Sequence, residues 1–195
     1  MAAGTALNES ITCVGIAFVG KYPMAKYAEF IDMFYNQKDR RFGGVIKNCE
    51  TQFKNKTDYT NNYPRPTLTN VANETMDNWF ATAYFTGRAL YKNIGVKLDL
   101  YDVLRLSKND SEKGNFLKGE AAKAIRDEYK KLGGSGYAGK IHPEKVMIAD
   151  IILYARTSKL EDKLKKHIAN GNLTLTTYKT LFNEEFKKKK VIPVS

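Results

Sequence analysis

TLTNVANETMDNWFATAYFTGRALYKNIG, residues 67–95, is the longest periodic stretch in the chain. Leu68, Val71, Met76, Trp79, Phe80, Ala83, Gly87, Leu90, Tyr91 and Ile94 recur at three- and four-residue intervals, mostly on one face of a helix that ends near Gly95. Gly87 lowers helix propensity by about 1 kcal/mol relative to alanine. That position therefore marks either a break or a place of close packing.

Upstream, residues 54–66 (KNKTDYTNNYPRP) are polar and hold two prolines, which predicts a loop. A shorter helix carrying Val45, Ile46, Cys49 and Phe53 precedes it, after the Gly43–Gly44 interruption. Pro23 suits a first helical turn, with Met24, Tyr27, Phe30, Ile31, Phe34 and Tyr35 following at helical spacing. The apolar run ITCVGIAFVG, residues 11–20, is too short to span a bilayer and has no basic residue before it. Neither a signal peptide nor a membrane anchor is expected.

Downstream, Asp99 predicts an N-cap for a short helix containing Leu100, Val103 and Leu104. A helix from about Asn109 carries Phe116, Leu117, Ala121, Ile125 and Tyr129 to Gly133. Residues 133–140 (GGSGYAGK) read as a hinge. His142–Pro143 opens a helix through Ile148, Ile152 and Tyr154, although its β-branched content also admits a strand. Ser158 with Glu161 forms a capping box for Leu160, Leu164 and Ile168, stopped by Gly171. Tyr178, Leu181, Phe182 and Phe186 define the last helix, before KKKK and VIPVS. The expected fold is all-α: an N-terminal arm over 1–22, one helical core over 23–186, and a basic tail over 187–195.

The 195 residues hold 32 Lys+Arg against 21 Asp+Glu, a formal charge of +11. Residues 1–65 carry +3, residues 66–130 carry +1, and residues 131–195, with 13 basic and 6 acidic side chains, carry +7. Such an excess suits a polyanion, because each cation placed on a phosphate releases condensed counterions; a merely solubilising surface is the other reading. Cys13 and Cys49 are too few for a disulfide scaffold and fit a reducing compartment.

Catalytic patterns are scarce. The sequence has no Walker loop, no HExxH and no CxxC, and His142 and His167 are its only imidazoles. An enzyme is not expected, nor a cofactor or metal. Pairs such as Glu184/Glu185 suit solvated or capping roles. The basic groups point elsewhere: Lys163 and Lys166 load the capped helix, and Lys187 and Lys188 begin the terminal run. That run also complements a helix dipole. Arginines are scattered among apolar positions, which suits phosphate clamps or buried ion pairs better than base readout. Arg88 lies one turn from Tyr84 and Tyr91, rings that would either stack bases or fill the core with a wet tip.

Leu98-Asp99-Leu100-Tyr101-Asp102-Val103 resembles the FDFYEV or FDFFDGV box of coat proteins from flexible filamentous plant viruses of the potyvirus and potexvirus kind. Arg65-Pro66-Thr67-Leu68-Thr69 resembles their PTLRQ element, Trp79-Phe80 the aromatic pair after it, and Gly119 to Ala124 their alanine-rich helix. The resemblance covers roughly residues 64–125. It implies a helical core with terminal arms joining neighbours, and an RNA pocket in which Asp99 matches the family aspartate. Thr69 stands where the family has its arginine, so Arg65 or Arg88 would have to substitute. Lys97, Arg105 and Arg126 complete the expected RNA-binding set, with Lys163, Lys166, Lys187 and Lys188 as secondary contacts.

The expectation is a viral coat protein that self-assembles into a helical homo-oligomer around single-stranded RNA without sequence specificity, in a virion assembled in the host cytoplasm and without a membrane partner. The alternatives are a non-viral basic helical nucleic-acid-binding protein, monomeric or dimeric, and then an all-α enzyme or protein-interaction module.

Overall fold

A computed structural model describes residues 3–36, 45, 79–94, 97–106, 114, 116–133, 136 and 149–194. Several expected features lie outside them: the helix after Val45, the loop 54–66, the periodic stretch before Trp79, most of the glycine hinge, and His142–Pro143. The chain divides into two compact units, Met1–Arg105 and Leu106–Ser195, where a single core was expected.

The first unit is built on α1 (Ala3–Lys21), α2 (Tyr27–Asn36) and α3 (Trp79–Ile94), followed by a 3₁₀ turn (Leu98–Leu100) and strand β1 (Tyr101–Arg105). The expected N-terminal arm is instead its central helix. Ile11, Val14, Ile16, Phe18 and Val19 are fully buried. Each such side chain gains about 1.5–3 kcal/mol on burial, so leaving the segment extended in water would forfeit that sum. Thr12, which interrupts the apolar run, donates its hydroxyl to the Asn8 carbonyl at 2.9 Å and so remains compatible with the helix.

Helix α1 packs mainly on α3, and also on the 3₁₀ turn and β1. Gly87 marks close packing rather than a break. A Cβ there would stand 2.7 Å from the Gly15 carbonyl oxygen, and one on Gly15 would stand 2.4 Å from that of Ala83. Helix α2 begins at Tyr27, four residues after Pro23, where the Lys26 N–H donates to the Glu29 carboxylate at 2.9 Å. It buries Tyr27, Phe30 and Ile31 against Phe80 and Tyr84, and the Tyr84 hydroxyl donates to the Ala25 carbonyl at 2.7 Å.

In the second unit a π turn (Phe116–Glu120) leads into α4 (Ala121–Lys131). Strand β2 (Ile151–Ala155), α5 (Leu160–Ala169), α6 (Leu175–Lys187) and strand β3 (Val191–Val194) follow. Strands β2 and β3 pair antiparallel, with Tyr154 opposite Val191 and Ile151 opposite Val194. The VIPV end of the chain is thus a strand of its own unit, not a free tail.

The fold is mainly α but not all-α: the described residues include three short strands. Tyr101, Val103 and Leu104 were expected on a helix and lie on β1; Ile152 and Tyr154 lie on β2. All five side chains of β2 are buried. A strand covered on both faces reads as a continuous apolar run, which periodicity cannot tell from a helix.

Candidate functional site

The site expected from the sequence separates into engaged and outward-facing groups. Arg65 lies outside the described residues, as does Thr69. Arg105 is only 8 % exposed and donates to the Glu9 carboxylate at 2.7 Å, a structural ion pair within the first unit. Lys97 and Asp99 are exposed on and beside the 3₁₀ turn. Arg88 is exposed on α3 and donates from its guanidinium to the Pro23 carbonyl. Tyr84 fills the core and holds a backbone carbonyl, whereas Tyr91 is 40 % exposed. Arg126 belongs to the second unit, half-buried on α4.

The C-terminal cations form the clearest constellation. Helix α6 starts where Thr174 accepts from the Thr177 N–H at 3.1 Å. It ends in a turn that carries Lys188 to Lys190 into β3, with Lys189 at φ 54° in the left-handed region. The ladder sets this turn against the loop after β2: the Ala155 N–H donates to the Lys190 carbonyl at 2.8 Å, and Lys190 Nζ to the Thr157 carbonyl at 3.3 Å. Arg156 is exposed on that facing loop, so two basic loops meet at one end of the β2–β3 pair.

Beneath the turn, Glu185 is 2 % exposed. It accepts from Ser158 Oγ at 2.9 Å and from Lys163 Nζ at 3.2 Å. Burial opposes its ionisation, but hydrogen bonds from Ser158, Lys163 and the Lys159 backbone outweigh that and hold the carboxyl below its usual range. The hydrogen bond to Glu185 holds Lys163 above the usual lysine value, although partial desolvation opposes the charged form; Glu184, at 3.5 Å, adds to the rise. Glu185 is therefore a buried staple, where the sequence suggested a solvated role.

The expected capping box is half formed. Ser158 Oγ accepts from the Leu160 N–H at 3.3 Å, but the Glu161 carboxylate turns to Lys165 at 2.6 Å. At the far end of the unit, the Tyr178 hydroxyl donates to the Leu117 carbonyl at 2.8 Å, and burial pushes its phenol pKa up.

Ion pairing sorts the basic set. Lys163 is neutralised by Glu184 and Glu185, Lys165 by Glu161, and Lys159 lies 4.0 Å from Asp162. Lys166, Lys187 and Lys188 are exposed, and among the described residues no carboxylate lies within ion-pair distance of them. The sequence reading missed Arg156 as a member of this edge. Its signal was its place directly after the apolar run IILYA, at the mouth of a strand. His167 contacts Asn172 at 2.9 Å, and the described residues hold no cluster of metal-ligating side chains. No described helix is long and apolar enough to cross a membrane.

Compared with known proteins, the chain matches no family model, and no curated protein or solved structure is significantly similar to it.

Proposed function

We propose that this protein binds single-stranded nucleic acid without sequence specificity, using the lysine turn between α6 and β3 as its principal phosphate contact. The observation that carries the reading is the placement of Lys187 and Lys188, exposed and with no carboxylate within ion-pair distance among the described residues, on an edge that also presents Arg156. Lysines held this way supply counterion release and no base reading, because an ammonium is a point charge on a flexible stem. The neighbouring Lys163 is committed to Glu185, so it anchors the edge instead of adding to the contact.

Assembly into a coat through exchanged arms has weaker support. Arms that join neighbouring copies need apolar side chains left over for docking, and Ile11, Val14, Ile16, Phe18 and Val19 are buried within their own unit. Val191 to Val194 likewise pair with β2.

Fluorescence anisotropy of a labelled uridine 20-mer, titrated across salt concentrations, tests the reading. With three lysines in contact the log–log slope is about −2, so a fourfold rise in salt weakens binding about sixteenfold. Replacing Lys166, Lys187 and Lys188 together by Gln removes most of that slope, whereas Lys165→Gln, whose partner is Glu161, changes it little. Absence of binding at low salt, or a slope indifferent to the triple replacement, overturns the proposal.

A further inference from the structure

The first unit carries an open cleft of about 570 Å³ between the α1–α2 turn and the outer face of α3. Its walls include Met24, Phe85, Arg88, Tyr91 and Lys92. Two features distinguish it from ordinary surface. Met24 is 89 % exposed at the tip of a turn, although Tyr22 and Ala25 on either side pack against the core, and Tyr91 offers an exposed ring nearby. The cleft is also one-signed. Arg88 and Lys92 stand one helical turn apart, and among the described residues no carboxylate lies within ion-pair distance of either. Glu29, the acid of the adjoining turn, already accepts from the Lys26 N–H.

The geometry points to a nucleotide as the occupant, with its base laid against Met24 and Tyr91 and its phosphate reaching Arg88 and Lys92. A concave site with apolar walls and a few placed cations suits a planar group bearing an anion. The guanidinium, oriented by its bond to the Pro23 carbonyl, keeps further N–H donors for phosphate. Stacking on an aromatic ring accepts any base, which matches sequence-independent binding and requires an unpaired strand. This inference rests on the nucleic-acid reading in taking the nucleotide as one unit of a bound strand. The cleft is otherwise independent of the lysine turn.

The test uses the full chain labelled with [ε-¹³C]methionine, which gives five methyl signals by NMR; Met24→Leu assigns the one that matters. The probes are AMP, ribose 5-phosphate and adenosine. AMP shifts the Met24 methyl through the ring current of its base and leaves the other four in place. Ribose 5-phosphate, without a base, shifts it far less, and adenosine, without phosphate, binds more weakly. Tyr91→Ala and the pair Arg88→Ala with Lys92→Ala each weaken AMP about tenfold, the scale of one stacking contact or one charged hydrogen bond.

An equal response to ribose 5-phosphate makes the cleft a plain anion site and overturns the inference. Uniform shifts of all five methyls, or loss of the Met24 signal on anionic vesicles with none on AMP, overturn it too. An unmoved Met24 signal with lysine-dependent binding of the 20-mer removes the cleft and spares the nucleic-acid reading. A Met24 response to AMP without any binding of the 20-mer does the reverse.

Discussion

Gly87 sits mid-helix, where alanine would add about 1 kcal/mol of helix propensity. A Cβ there would meet the Gly15 carbonyl oxygen at 2.7 Å, Val19 Cγ2 at 3.0 Å and Ile16 Cα at 3.1 Å. Two of those atoms are backbone and cannot turn aside, and overpacking of this kind costs about 1–3 kcal/mol. Gly87→Ala is therefore expected to lower the melting temperature despite its better propensity. Gly15→Ala, 2.4 Å from the Ala83 oxygen, lowers it further; calorimetry of both variants checks the order. At Glu185 the decisive fact is the burial of a charge that two side chains satisfy. Glu185→Gln loses the charged hydrogen bonds to Ser158 and Lys163 and is expected to cost about 1.5–3 kcal/mol in urea denaturation. Glu184→Gln, at an exposed neighbour, stays within about 0.5 kcal/mol. The adjacent carboxylates were indistinguishable in sequence, because burial at one of them depends on which face of α6 meets α5.

Element by element, the register of β3 on β2 decides which backbone groups the strand turns outward. In the β2–β3 ladder the Ala155 N–H bonds to Lys190, so alternation makes Leu153–Ile192 and Ile151–Val194 the hydrogen-bonded pairs. Pro193, opposite Ile152, falls at a non-bonded position, where an N–H would point away from β2. The proline thus removes a donor from the open side of β3 and blunts it against strand addition. Pro193→Val restores that donor. The expected outcome is stronger self-association at high concentration by sedimentation velocity, with the fold of the monomer retained. An unchanged sedimentation profile would show that this edge is protected in another way. Because β3 also closes the ladder, the lysine turn is best probed by substitution rather than by truncating the chain.

On the scale of the whole molecule, charge and pH response follow from how the two units divide the ionisable groups. Residues 1–105 carry 13 basic and 10 acidic side chains, a net +3, and residues 106–195 carry 19 and 11, a net +8. On the proposed reading, the sequence-independent term of binding therefore belongs mainly to the second unit. The Glu185–Lys163 pair sets a pH window for stability. Glu185 has a folded pKa below its ordinary 4.5, so its contribution is present above that value and is lost as pH falls through the folded pKa. Lys163 has a folded pKa above its ordinary 10.5, so its contribution is present below that value and is lost as pH rises through the folded one. Between those limits the pair contributes a constant amount. Stability measured against pH should fall less steeply on the acid side in Glu185→Gln than in the parent, and the same slope in both would remove Glu185 from the account.

Much was legible without coordinates. The spacing of Trp79, Phe80, Ala83 and Gly87 gave helix α3, Gly133 and Gly171 gave helix ends through their positive φ, and the lysine excess gave the charged end of the chain. These depend on local period, backbone permissiveness and composition, all carried by neighbours in the chain. Tertiary structure decided the rest. It turned ITCVGIAFVG from an arm into a central helix and IILYA into a strand, because burial on every side erases the contrast that periodicity needs. It also chose which charges face solvent. Arg105 and Lys163 are consumed by Glu9 and Glu185, partners 96 and 22 residues away, and no local rule reports a pairing at that separation.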